Sequence, residues 1–279
     1  MDKISVVGST SYIGGKFLDT FPNETCRVPS RSLDIPTNNL LFLRSTVDNY
    51  NIWDNPKLDP SICIMHLIDT LEACKAKFSN NFTVNLVSSW FVYGKQNELP
   101  VKETAICNPL GWYATAKYSS EIFLRSYCIT YDIPYRILRL SNIYGGYDSG
   151  ANKKKNALHH LAKQIYNNIN IDLYYGGNFI RDYLHINDCC TAIKTIIDNG
   201  CWNTIYNVGS GNGIVFLQAM DALKEHYNST SKFTTVEPTE FHKKIQCKNF
   251  ELDISRLEDL GWKRSIKIID GLKTIKFIL

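Results

Sequence analysis

Short apolar runs alternate along this chain with longer stretches in which apolar residues recur every three or four positions. The runs at 4–7, 25–28, 40–43, 82–87 and 135–140 predict buried strands. The periodic stretches at 13–20, 56–78 and 113–131 predict helices between them, with Pro22 and Pro134 as stops. Strands that alternate with helices imply an α/β fold with a doubly wound parallel sheet. Beyond 145 the pattern is less regular. It holds a lysine-rich loop and helix near 152–168, short strands near 171–175 and 204–208, and helices near 187–199 and 214–227. No internal repeat or low-complexity tract interrupts it, and no Pro/Gly linker separates independent domains.

Composition narrows this picture. A chain of 279 residues suits one large domain, or one domain with an appendage. An apolar share of 44% with 21% charged residues excludes wholesale disorder. The net charge, 31 − 27 = +4, is too weak to argue for nucleic acid, so Lys153-Lys154-Lys155 and Lys243-Lys244 read as solvated runs. No stretch approaches the roughly 18 apolar residues of a membrane span. Met1-Asp2-Lys3-Ile4 leads straight into a strand without a secretory signal, so the expectation is a cytoplasmic protein. The nine cysteines include no CxxC pair, and Cys189-Cys190 are neighbours on a helix. They read as reduced thiols, with no metal site.

The first candidate chemistry is the turn after the first strand, Gly8-Ser9-Thr10-Ser11-Tyr12-Ile13-Gly14. Glycines let bare backbone N–H groups approach a pyrophosphate, and a helix N-terminus adds its positive dipole end. Gly8, Ser11, Tyr12, Ile13 and Gly14 are therefore expected at a dinucleotide cofactor. Ser11 stands where the middle glycine of GxxGxxG is usual.

Three further segments follow in order. Ser88-Ser89-Trp90-Phe91 ends a strand, Tyr113-Ala114-Thr115-Ala116-Lys117 opens a helix, and Arg139-Leu140-Ser141-Asn142 ends the next strand. Tyr113 and Lys117, four apart, share a helix face. A free phenol, with a pKa near 10, is a poor base at neutral pH, and a nearby ammonium favours its phenolate. A serine beside it can bond the same substrate oxygen. The group suits moving a proton on or off a carbinol while a hydride leaves or arrives.

With these motifs in this order, the chain resembles the extended short-chain dehydrogenase/reductases, the NAD-dependent epimerase/dehydratases of nucleotide sugars. The resemblance extends to Phe179-Ile180-Arg181-Asp182-Tyr183-Leu184-His185, Asn207-Val208-Gly209-Ser210-Gly211 and Leu252-Asp253-Ile254-Ser255. It implies a Rossmann sheet from 1–144 with 183–210, and a smaller substrate-binding lobe from 145–182 with 211–279. Tyr113 is then the acid/base, Lys117 its partner and a ribose ligand, and Ser89 the polarising hydroxyl. Trp90, Asn142, Arg181 and Asp253 are expected on the substrate side, with Arg181 on the diphosphate of a nucleoside-diphosphate sugar. Relatives commonly form homodimers through a four-helix bundle, here the 56–78 and 113–131 segments. Two departures stand out. Cys63 falls where the family often has Asn, and Arg44-Ser45 replace small residues that flank the cofactor.

Dehydratase relatives resemble one another in carrying Asp-Glu where Trp90 and Phe91 stand, and those rings supply neither acid nor base. That leaves a C4 epimerase or a 4-keto reductase ahead of a 4,6-dehydratase, with reduction placed first. A non-catalytic dinucleotide sensor or scaffold is the other alternative, against which the intact Tyr113 and Lys117 argue. At the end of the second strand no carboxylate awaits a ribose, while Arg31 could meet a 2′-phosphate, so NADP(H) is placed ahead of NAD(H). Asp34 and Ile35 resemble the family's adenine-edge pair. Finally, 32–39 is too short for the usual crossover helix. That helix is expected to be absent and the adenine side open.

Overall fold

A computed structural model describes residues 3–29, 32–46, 48, 51–152 and 155–277. Six strands form one parallel sheet: β1 (Ile4–Val7), β2 (Thr25–Val28), β3 (Asn39–Phe42), β4 (Thr83–Ser89), β5 (Tyr135–Leu140) and β6 (Thr204–Val208). Their spatial order is β6-β5-β4-β3-β1-β2. Helix α1 (Tyr12–Thr20) follows β1, and α2 (His66–Phe78) and α3 (Trp112–Thr130) flank β4. Helix α4 (Ile186–Asn199) precedes β6. The chain is thus the expected doubly wound sheet.

Alternation of side chains across the pleat splits the core in two. Val6, Leu41, Val87 and Leu138 pack on one face with Phe17 of α1 and Ile193 of α4. Val7, Leu40, Phe42, Leu86 and Ile137 pack on the other with Leu67 and Leu71 of α2 and Leu124 of α3. A third cluster, with Tyr144, Leu158, Leu173, Phe216 and Met220, forms a lobe beside the sheet. Phe250, Leu252, Leu257 and Trp262 return from beyond that lobe to pack in the first core.

The short link from β2 to β3 holds no helix among its described residues, as expected. The sheet order sharpens this. In the usual order 3-2-1-4-5-6 the third strand lies outside the second. Here β3 pairs with β1, Val7 facing Phe42, and β2 pairs with β1 on its other side. The missing piece is therefore a strand position as well as a helix, and β2 is left as the sheet edge. The 56–78 stretch is also not one regular helix. A short helical turn, Leu58–Pro60, and a π-turn, Ser61–Met65, lead into α2.

Candidate active site

The turn after β1 is built for close backbone approach. Gly8 has φ +91°, and a Cβ there would meet the Arg44 nitrogen at 3.0 Å. A Cβ on Gly14 would lie 2.3 Å from the Gly8 carbonyl oxygen. Ser11 serves as the N-cap of α1, its Oγ accepting from the Gly14 N–H at 3.1 Å. A serine thus does the turn's local bonding where glycine is usual. Ser9 Oγ donates to the Val28 carbonyl at 2.7 Å and ties the turn to β2. Ile13 packs against the first core. Tyr12 reaches the other way, donating its hydroxyl to the Gly145 carbonyl, while the Gly145 N–H donates to His159 Nε2 at 3.0 Å. Burial pushes the Tyr12 phenol up and draws His159 down to about 4. Tyr12 thus joins the turn to the segment at Gly145.

Ser89 lies beside Tyr113, and Lys117 follows one turn along α3. Parallel pairing of β4 with β5 sets Ser88 opposite Arg139 and Ser89 opposite Leu140 at the carboxyl ends of the strands. All three catalytic candidates are buried. Burial pushes the Tyr113 phenol up, hydrogen bonds from Ser89 and Ser45 pull it back, and nearby Cys63 and Asp59 raise it further. Lys117 donates to the Val87 carbonyl at 2.5 Å. Burial pushes its ammonium down, against the pull of Cys63 and Glu121.

Sequence reasoning missed the support beneath this group. Arg139 donates to both oxygens of Glu121, the shortest contact being 2.6 Å, and Ser88 Oγ donates to Glu121 at 2.5 Å. Arg139 and Glu121 are buried, so the pair ties α3 to β4 and β5 in a dry interior. Its signal was present: Tyr113, Lys117 and Glu121 repeat every four residues along one helix face. Asp59 and Cys63 were likewise not foreseen as neighbours of Tyr113.

The substrate-side expectations divide. Arg181 borders a cavity of about 400 Å³ with Lys95, Lys243, Lys248, Tyr174 and Phe179. Its guanidinium donates to the Cys247 and Lys248 carbonyls at 2.9 and 2.6 Å and lies 4.5 Å from the Phe179 ring. Asp182, beside it in sequence, does not pair with it. That carboxylate is buried and accepts from Ser210 and the Leu252 N–H. Asn142 donates to the Asp182 carbonyl at 3.0 Å, at the junction of sheet and lobe.

Three expectations need correction. Trp90 is 2% exposed, stacked between Phe91 and Phe250 at 4.1 and 4.0 Å, so it is core and not pocket wall. Asp253 lies apart from the cationic cavity and serves a turn. Burial alone would raise its carboxyl, but bonds from the Ser255 N–H and Oγ outweigh it, with Lys102 and Arg256 assisting, and hold it low. Ile35 is buried in the second core, so it could offer an adenine only its backbone. Asp34 is exposed and pairs with Lys77 at 3.1 Å. Ser45 Oγ donates to the Thr46 carbonyl and lies 3.5 Å from Cys63 Sγ, while Arg44 lies half-buried against the Gly8 turn. Arg31 lies outside the described residues. No cluster of metal-ligating side chains occurs among the described residues.

Residues 59–209 match the NAD dependent epimerase/dehydratase family. A Methanocaldococcus jannaschii protein, provisionally named a UDP-glucose 4-epimerase, is 30% identical over 81% of this chain and 71% of its own length. An Escherichia coli dTDP-4-dehydro-6-deoxyglucose reductase is 27% identical over 67% of this chain and 58% of its own. Apart from the first, the curated relatives are spanned over 55–65% of their length. Among solved structures, RMD from Pseudomonas aeruginosa complexed with NADPH superposes with a TM-score of 0.86. It is 20% identical, with 99% of this chain and 96% of that one covered. A Thermotoga maritima UDP-glucose 4-epimerase with UDP-glucose also gives 0.86, at 19% identity over 98% and 97%. At such identities the structures speak for the fold.

Proposed function

The chain belongs to the NAD-dependent epimerase/dehydratase family, and from that premise we propose that it transfers a hydride at C4 of a nucleoside-diphosphate sugar. The observation that carries this reading is Tyr113, buried beside Ser89 and one helical turn from Lys117, at the carboxyl ends of β4 and β5. In the proposed division of labour, 1–144 with 183–210 hold the cofactor and 145–182 with 211–279 hold the sugar nucleotide.

A nicotinamide dinucleotide fits the turn, because Gly8 and Gly14 leave a cradle that a Cβ would fill. When bound, it supplies or accepts the hydride. Gly8 to Gly14 would hold its pyrophosphate, and Lys117 its ribose. The chain's own task is the proton. Ser89 orients the sugar oxygen, and Tyr113 gives it a proton or takes one. Arg181 and its lysine neighbours offer a diphosphate charge-assisted bonds, with Tyr174 and Phe179 as apolar walls.

Reduction of a 4-keto sugar is placed ahead of 4-epimerisation, with NADP(H) ahead of NAD(H), on the absence of a ribose-binding acid at the end of β2. The one nearby acid, Asp34, is engaged by Lys77. Epimerisation is the second reading, favoured by the similarity to the archaeal relative. A homodimer is proposed through α3, which exposes Ile122, Phe123 and Ile129, and through the neighbouring Met65. No helix among the described residues is long and apolar enough to cross a membrane, and a cytoplasmic location is part of the proposal.

The test is to mix the protein with NADPH and a panel of 4-keto-6-deoxy sugar nucleotides and follow NADPH absorbance. Oxidation that falls by about 10²–10⁴-fold in Tyr113→Phe, with dinucleotide binding retained, is expected. Isomerisation of UDP-glucose with bound NAD, and no NADPH oxidation, would move the assignment to the epimerase.

A further inference from the structure

A second cavity, of about 590 Å³, opens at the amino ends of the strands. Ile4, Asn39 and Thr83, which begin β1, β3 and β4, border it, together with Trp202 from the turn between α4 and β6. Ser89 ends β4, so this cavity and the candidate active site lie at opposite ends of the sheet. Its volume falls within the range of about 300–1,000 Å³ that small-molecule sites occupy.

The walls are built in depth. Trp202 is 41% exposed, and the Arg136 guanidinium, 3.4 Å from the ring centroid, braces one face of its indole. Arg136 is itself buried, and it bonds no carboxylate among the described residues. It donates to the Gly200 carbonyl at 2.6 and 3.0 Å and to Asn85 Oδ1 at 3.2 Å. Burying a guanidinium without a carboxylate is costly, and what it yields here is a fixed ring. Asn85, fully buried, carries the order further: its Nδ2 donates to Asn39 Oδ1 at 3.2 Å, where Thr83 Oγ1 also donates at 3.2 Å. Both bonds fall on the Asn39 carbonyl oxygen, so its NH2 group is left to serve a ligand. Asn80, Asn81 and Asp132 are exposed at the rim, and their side chains bond no other described residue.

Charge narrows the ligand. Glu24, Asp132 and Asp198 set three carboxylates against the ammonium of Lys194, which Asp198 and Glu24 hold at 2.6 and 2.7 Å. A phosphate is repelled here, unlike at the cationic cavity around Arg181. An uncharged ligand with one apolar face and a rim of hydroxyls suits a single indole wall with amides and a carboxylate around it.

We propose that this cavity binds the pyranose ring of an uncharged saccharide. The C–H face of the sugar lies on Trp202. Its hydroxyls bond the amides of Asn39, Asn80 and Asn81 and donate to the Asp132 carboxylate. A braced ring and an oriented amide lose little freedom on binding. The site is independent of Tyr113 and of the hydride chemistry.

NMR of the indole N–H groups of the whole chain provides the test. Five tryptophans give five signals, and Trp202→Phe identifies its own by deleting it. Methyl glycosides of glucose, galactose, mannose and N-acetylglucosamine, then maltose and cellobiose, are titrated in turn. At least one should shift the Trp202 signal saturably, with a Kd on the order of 1 mM, as suits a ligand of about a dozen non-hydrogen atoms. UDP should leave that signal in place. Asp132→Asn keeps a residue suited to the positive φ of 54° and should weaken binding by about fivefold, as a charge-assisted bond becomes a neutral one. Asn80→Ala, at the exposed rim, should weaken it by about as much. A disaccharide bound at least about tenfold more tightly than its monosaccharide would identify a glycan chain as the source, and equal affinities a free sugar. No saturable shift at Trp202 with any of these sugars up to about 100 mM would overturn the proposal. So would a shift produced by UDP, or an affinity unchanged in both variants. None of these outcomes depends on NADPH oxidation, so the proposed function stands or falls separately.

Discussion

The two flanks of the sheet are built to different standards. On the β4–β5 flank, Glu121 and Arg139 are buried and bonded, Ser88 joins them, and Ser89 and Tyr113 stand just above. On the β2 flank the crossover is cut to a short link, one strand position is missing, and the Lys77–Asp34 ion pair beside that link is open to solvent. The contrast follows what each flank is proposed to hold. Proton and hydride transfer fail with misplacements of about 1 Å, so the reacting flank requires a rigid support. An adenosine held remote from the reaction can be bound loosely without disturbing the geometry of the reacting atoms. In this chain the trimming falls on the flank where precision matters least.

The heaviest blow to the comparison falls on the dense flank. Glu121→Ala strands the Arg139 guanidinium in the interior and leaves Ser88 without its acceptor. Such a break costs about 3–5 kcal/mol. Denaturant unfolding should show it as a lower midpoint, and Ser89 and Tyr113 should lose activity along with it. A loss below about 1 kcal/mol would mean that the buried pair does not hold this flank together.

The junction of turn and lobe should give way next. His159 accepts from the Gly145 N–H only when that nitrogen is unprotonated, and burial draws it from 6.5 to about 4. Its folded pKa lies below its unfolded one, so below 6.5 the unfolded chain binds more protons. The stabilisation is complete above about pH 6.5 and is lost as the pH falls towards 4. The fall from 6.5 to about 4 corresponds to about 3 kcal/mol. His185 and His242 are also drawn down by burial, so the test is a difference. Unfolding free energies of wild type and His159→Gln should converge by about that amount between pH 6.5 and 4. Parallel curves would remove His159 from the account.

Much of this contrast could be read before the fold was seen, and the unread part has physical causes. Strand positions followed from apolar runs, because a sheet covered on both faces needs apolar residues on both. The gap between β2 and β3 was a matter of chain length. What succession along the chain does not carry is adjacency in space, so the pairing of β3 with β1 came only from the sheet. Tyr113, Lys117 and Ser89 were legible because their chemistry is local to a helix turn and a strand end. Glu121 and Arg139 were not, because their pairing joins a helix to a strand and a lone carboxylate in sequence reads as surface. Trp90 misled for the opposite reason: its place beside Ser89 suggested a pocket, whereas Phe250, 160 positions away, closes over its ring. Asp253 sat in a family signature whose conformation, a turn capped through Ser255, is its evident role here.

The thin flank offers the smallest expected effect and the sharpest control. Lys77 holds the exposed Asp34 at 3.1 Å and donates to the Ile35 carbonyl at 2.8 Å. Both charged side chains stand largely in water, where such a pair contributes between about 0 and 1 kcal/mol and weakens with salt. Lys77→Ala should therefore lower stability by no more than that, and the loss should shrink in high salt. Its effect on dinucleotide affinity separates two views of the trimmed edge. If the edge is merely open, titration of the dinucleotide should give a Kd within about twofold of wild type. A tenfold loss would show that Lys77 and Asp34 replace the missing strand and helix as the adenine wall, and the two flanks would then be equally built, by different means.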